Sequence, residues 1–161
     1  MKIALDRTLY IVMGPPGAGK STYINAHFPA ALAPNADRYT VAHMPDHQLH
    51  FGSSVRAIAE HLAFYALEQI LMRGFACVFE LGGATRAERA SIITVARRYG
   101  YRVHGILLEV TPDTAWRRTQ HDPTRPATSK PKWRAMIDHW YERFEPIASN
   151  EFETWETITN E

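Results

Sequence analysis

The 161 residues are 45% hydrophobic and 22% charged, with a net charge of +1, the make-up of a soluble globular domain whose core is large enough to need no covalent staple. No leader pattern appears and no apolar stretch approaches the ~20 residues of a bilayer span, so the expected location is cytoplasmic and no membrane partner is expected. The near-zero charge argues against a broad electrostatic grip on nucleic acid, and the lone Cys77, in the apolar run FACVFE, excludes an internal disulfide and reads as a small buried hydrophobe.

No repeat, low-complexity tract or linker divides the chain, so residues 1–161 are expected to form one domain. TLYIVM (8–13) reads as a buried strand, followed by GPPGAGKST (14–22) and a helix from Lys20 to about Ala26. AALA (30–33) fits a short second strand. VRAIAEHLAFYALEQILM places Val55, Ile58, Ala59, Leu62, Ala66 and Ile70 on one helical face, with Ser53 or Ser54 as cap and Gly74 as stop. FACVFE (75–80) is a third strand.

Thr85-x-x-Glu88 has the form of a capping box and opens a helix that ends at Gly100. YRVHGILLEV (101–110) is a further strand, and Thr111-Pro112 supplies a cap with proline at the first helical position. A loop rich in Pro, Thr and Arg covers about 121–131. The next helix carries Trp133, Met136, Ile137, Trp140, Tyr141 and Phe144 on one stripe, read as core, and TWETI (154–158) is a last strand. Strands alternating with helices predict an α/β fold: a parallel sheet with helices on both faces.

Gly14 and Gly19-Lys20-Ser21 satisfy G-x-x-x-x-G-K-[ST], with a predicted strand before and a helix after. That context identifies a P-loop. Glycines let backbone N–H groups curl around phosphate oxygens, and the helix turns its positive end to the same anion. Gly14, Gly17, Ala18, Gly19, Lys20, Ser21 and Thr22 form the candidate nucleotide-binding set. Lys20 is placed to reach the β- and γ-phosphates and Ser21 to ligate Mg²⁺. Arginine outnumbers lysine fourteen to four, and its planar fork suits phosphate. Five Arg against Glu88 alone lie between Arg86 and Arg102, whereas the charges from Glu145 onward are all acidic. This asymmetry hints at a phosphate-rich ligand or at solvated helix faces.

GPPGAGKST, NADRYT, VFELGGATRAERA, RVHGILLEV, WRRTQHDPTRP and HWYERFEP together make the chain resemble the small P-loop kinases related to polynucleotide 5′-hydroxyl kinases and the adenylate-kinase-like group, an AAA-type P-loop kinase domain. A guanine-reading Asn-Lys-x-Asp stretch is absent, which argues against switch GTPases. The resemblance implies a five-stranded parallel sheet and a mobile helical lid at about 117–134. It gives Asp37 the role of the carboxylate that meets the acceptor hydroxyl, and Arg38 a contact to the acceptor's phosphate. The family's Arg commonly sits a few residues beyond the Asp, so the adjacent pair is a departure. Glu80 stands where the family usually shows Asp, and serves either Mg²⁺ or proton transfer; Asp37 is the preferred base. Of the lid arginines, Arg118 and Arg125 are the catalytic candidates beside Lys20 and Asp37, with Arg117 facing solvent or a helix neighbour.

His43, His47 and His50 lack a supporting Cys or carboxylate pattern, so no zinc site is expected. TVAHMPDHQLHFGSS (40–54) is long enough to shape an acceptor pocket, and Tyr39, Phe51 and Trp116 are candidates for stacking on bases. The expected activity is ATP- and Mg²⁺-dependent phosphorylation of a hydroxyl on a nucleic acid or nucleotide, either a 5′-hydroxyl end or a hydroxymethyl group of a modified DNA base. A small-molecule kinase (for a sugar, antibiotic or metabolite) and a nucleotide-binding regulator with slow ATPase activity are the alternatives.

Overall fold

The computed structural model describes residues 7–43, 54–122 and 130–160. Strand β1 (Thr8–Met13) lies between β2 (Cys77–Leu81) and β3 (Arg102–Glu109), and β4 (Thr154–Thr159) extends the sheet beyond β3. All three pairings are parallel, with Leu9 beside Cys77 on one side and Val103 on the other. Leu9, Ile11, Val12 and Met13 are fully buried, which is why β1 reads as a continuous apolar run rather than an alternating one.

The described residues form four strands rather than five. AALA contributes one bridge, Leu32 to Cys77, with Val78 N–H donating to the Leu32 carbonyl at 3.0 Å. Pro29 and Pro34 flank the segment, and a proline has no N–H with which to continue a ladder. The segment therefore touches the β2 edge at a single point.

Among the described residues six helices cover both faces. Leu9, Ile11, Met13, Val103 and Leu107 pack with residues of α3 (Ser54–Met72) and α4 (Arg86–Arg98). Val12, Val78, Ile106 and Leu108 pack with Ile24 of α1 (Lys20–His27), Ala115 of α5 (Pro112–His121) and Ile137 of α6 (Lys130–Arg143). On α3 the buried line is Ala59, Ala63, Leu67 and Leu71, while Ile58 and Leu62 are exposed. That face is rotated from the expected one. Apolar residues surround nearly the whole of this helix, so periodicity does not single out a side; Ala59 and Ala63 permit the close approach. Helix α2 (Ala36–His43) is a further element that hydropathy did not reveal.

Caps fix the helix starts. Thr85 Oγ1 accepts from Glu88 N–H at 3.2 Å, and Glu88 Oε2 accepts from Ala84 N–H at 3.1 Å, one residue earlier than in a standard capping box. Thr111 caps α5 through Thr114 N–H, ahead of Pro112.

Two arginines of α4 meet the acidic C-terminal stretch, one of them in the interior. Arg89 is fully buried, ion-paired with Glu151 and donating to Gly83 and Ala84 carbonyls at 2.8 and 3.3 Å. Arg97 pairs with Glu153, and Arg98 with Glu68. The charge asymmetry read as a hint of ligand is thus answered in part by ion pairs within the chain. Val103 N–H and Arg97 hold the Glu153 carboxyl below its ordinary range, outweighing burial, which pushes it up.

Candidate active site

Met13 ends β1, and the chain turns at once into the glycine loop above the carboxyl ends of the strands, the usual place for a ligand in such sheets. Gly17 has φ +83°, and a Cβ there would lie 2.4 Å from the Ala115 carbonyl oxygen, so only glycine fits. Gly19 caps α1 in the left-handed region, which aims the first N–H groups of the helix back into the loop. Gly14 N–H donates to the Gly82 carbonyl at 3.2 Å, and Ala18 is fully buried. Lys20 Nζ donates to the carbonyls of Gly14 and Pro15, each at 3.0 Å, and so lies across the loop mouth.

The loop is also held from the far end of the chain. Asn160 Nδ2 donates to the Ala18 carbonyl at 2.7 Å, Asn160 N–H donates to the Glu109 carbonyl at 2.8 Å, and Arg118 Nη1 donates to the Asn160 carbonyl at 2.9 Å. One residue thereby joins the glycine loop, the end of β3 and an arginine of α5.

Glu80, near the end of β2, accepts two hydrogen bonds on Oε2: from Ser21 Oγ at 2.9 Å and from Asn35 Nδ2 at 2.7 Å. The other end of the Asn35 side chain caps α2, its Oδ1 accepting from Asp37 and Arg38 N–H at 2.7 and 3.1 Å. Asn35 thus fixes Asp37 and Glu80 relative to each other. Asp37 is ion-paired with Arg56 Nη1 on α3, and Arg56 Nε donates to Glu60 Oε1 at 2.9 Å. Burial works against the Arg56 charge, but Asp37 and Glu60 outweigh it and keep the guanidinium above its ordinary range. Arg38 points elsewhere: its Nη2 donates to Asn25 Oδ1 on α1 at 2.9 Å. The acceptor-side position expected of Arg38 is not where the structure puts it. Arg56 is the arginine beside Asp37.

These groups open into one cavity of about 690 Å³. It is lined by Gly14, Gly17, Gly19, Lys20, Ser21 and Thr22 of the loop and α1, by Asn35, Asp37, Arg56 and Glu80, and by Arg118, Trp133, Met136, Trp140 and Arg143 of α5 and α6. Trp140 is anchored there by Nε1–H to the Gly82 carbonyl at 2.9 Å and by stacking on Phe144. The aromatic stripe of α6 is therefore core and cavity wall together. Arg117 binds Thr114 on its own helix. Arg125, Phe51, His47 and His50 lie outside the described residues, as does 123–129 in the middle of the expected lid. Tyr39 and Trp116 pack against the two cores and do not line the cavity.

Sequence reasoning missed Asn35, Arg56 and Asn160. An Asn two residues before an Asp is an N-cap signal that pointed to Asn35. Nothing local marks the other two. The Ser21 hydroxyl and Glu80 carboxylate are hard oxygen donors held 2.9 Å apart beside the loop, a donor set that fits Mg²⁺. Among the described residues no group of three or more His, Cys, Asp or Glu side chains is placed to hold a metal without such help. Burial pushes the Cys77 thiol up to about 12, and the residue is an inert part of the core. No helix among the described residues is long and apolar enough to cross a membrane.

A family model described as an AAA domain matches residues 9–147. Among solved structures, one from the PezAT toxin–antitoxin system of Streptococcus pneumoniae is 15% identical with a TM-score of 0.68, covering 95% of this chain and 68% of that one. A gluconokinase from Sinorhizobium meliloti 1021 is 15% identical with a TM-score of 0.62, covering 96% and 83%. A chain of the Pnkp1/Rnl/Hen1 RNA repair complex is 16% identical with a TM-score of 0.62, covering 94% and 51%. At such identities the likeness is one of fold. No curated protein sequence matches significantly.

Proposed function

The chain belongs to the AAA domain family AAA_33, a P-loop kinase domain, and from that membership we propose that it transfers the γ-phosphoryl group of ATP to a hydroxyl on a nucleic acid end or a nucleotide. The observation that carries this reading is that the glycine loop with Lys20 and the carboxylate of Asp37 face one cavity. Residues 1–161 act as one kinase domain, with a lid over about 117–134.

The acceptor oxygen attacks the γ-phosphorus, its proton passes to Asp37, and the bond to the β–γ bridging oxygen breaks to release ADP. The Lys20 ammonium and the guanidiniums of Arg118 and Arg125 stabilise charge on the transferring group. Ser21 and Glu80 are the residues that would hold Mg²⁺, which neutralises phosphate charge when bound. Met136 and Trp140, half-buried at the cavity, offer apolar surface suited to a nucleobase.

A small-molecule kinase is the second reading. It is favoured by the internal pairing of Arg89, Arg97 and Arg98, which leaves few cations for a nucleic acid track. Both readings are separated by γ-labelled ATP offered with 5′-hydroxyl oligonucleotides (with and without hydroxymethylated bases), nucleotides, and a sugar and antibiotic panel. Label on oligonucleotide or nucleotide supports the first reading and label on a panel compound the second. Label only in free phosphate, even with every acceptor present, would indicate a slow ATPase of regulatory type and overturn both.

A further inference from the structure

Resting on the assignment of Asp37 as the base, we propose that Arg56 is the positioning residue of the acceptor side, holding one oxygen of Asp37 so that the other meets the hydroxyl. Arg56 reaches across from the first turns of α3 to the first turn of α2, and its pair with Asp37 ties these helices together at the cavity wall. Its guanidinium is itself oriented: Glu60, one turn further along α3, accepts from Nε. Exposure separates the partners. The Arg56 side chain is 15% exposed, against 49% for Asp37 and 59% for Glu60. The pair is thus anchored on its arginine side and open on its carboxylate side.

Among the described residues, Asp37 Oδ1 receives Arg56 while Oδ2 has no protein donor. A carboxylate fixed through one oxygen keeps its plane and leaves the second oxygen to accept a proton, which is the geometry a positioned base requires. Asn35 fixes the backbone beneath the same residue. The main chain and the side chain of Asp37 are therefore set by two separate contacts. Arg38, the neighbour in sequence, takes no part because it is engaged by Asn25.

The test is a double-mutant cycle of Arg56→Gln and Asp37→Asn, with Arg56→Lys and Glu60→Gln as milder variants. The probes are MgATP with a 5′-hydroxyl oligonucleotide and, in parallel, slow ATP hydrolysis, in which water takes the place of the hydroxyl. R56Q is expected to lower turnover about tenfold or more, a part of the 10²–10⁴ that a positioned base contributes, with ATP affinity and melting temperature near those of the parent protein. R56K is expected to recover part of the loss, and R56Q to cost little further in the D37N background, because it acts through Asp37. Equal losses from R56Q with and without Asp37, or normal turnover in R56Q, would overturn the proposal while leaving the base assignment standing. Normal turnover in D37N would overturn the base assignment, and the proposal with it. Should R56Q fail to fold, the same cycle run with R56K and E60Q decides in the same way.

Discussion

Asp37 and Glu80 are two carboxylates lining one cavity, but their partners differ. Glu80 is bonded to the Ser21 hydroxyl and the Asn35 amide, whereas Asp37 faces a guanidinium. Asp37→Asn is therefore expected to keep ATP binding and lower turnover by roughly 10²-fold or more. Glu80→Gln is expected instead to raise the Mg²⁺ concentration needed for half-maximal rate, and titrating Mg²⁺ against both variants separates the two roles. Lys20→Ala is expected to abolish transfer with an unchanged melting curve, since the Lys20 ammonium lies across the loop mouth on the Gly14 and Pro15 carbonyls rather than in a core. Gly17→Ala should also abolish ATP binding, because the added Cβ would stand 2.4 Å from the Ala115 carbonyl oxygen at a φ of +83°; calorimetric titration with ATP checks this. The loop was legible because its chemistry lies within nine consecutive residues. Arg56 and Asn160 were not, because each earns its place through a contact far along the chain.

At the scale of elements, α4 and the stretch before β4 are held by the buried Arg89–Glu151 pair, which also secures the Gly83 and Ala84 carbonyls behind Glu80. Glu151→Gln leaves a buried guanidinium without its counter-charge and is expected to cost about 3–5 kcal/mol, read by denaturant unfolding. A surface pair such as Arg134–Asp113 should cost under about 1 kcal/mol by the same measurement. The strands β1 to β4 and the capped helices α4 and α5 followed from sequence because caps and apolar runs are local signals. The buried side of α3 and the fate of AALA did not, since one depends on which residues are small enough to approach the sheet and the other on flanking prolines. The two arginines proposed to act from the lid give a prediction at this scale. Replacing Arg118 and Arg125 by Lys keeps charge but loses the planar fork, so transfer should fall more than about tenfold while ATP affinity changes far less. Single-turnover kinetics beside equilibrium ATP binding measures both quantities.

Over the whole molecule, a net charge of +1 combined with internally paired arginines limits the phosphates that a nucleic acid acceptor can engage. About two to four contacts are expected, each adding about 0.9 to the log–log salt slope on duplex and about 0.7 on single strands. Binding that is flat in salt from low to physiological strength would exclude nucleic acid as acceptor. The Asn160 tether has a different kind of consequence, one of timing. The Ala18 carbonyl and the amide that holds it are 142 residues apart, and a ribosome adds roughly 5–20 residues per second. The glycine loop of a nascent chain therefore waits on the order of ten seconds for the residue that pins it. Arg118 waits as well, though more briefly. A chain interrupted before β4 would carry the whole nucleotide-binding motif yet lack the strut beneath it, so stalled or truncated products are not expected to consume ATP as competent enzyme.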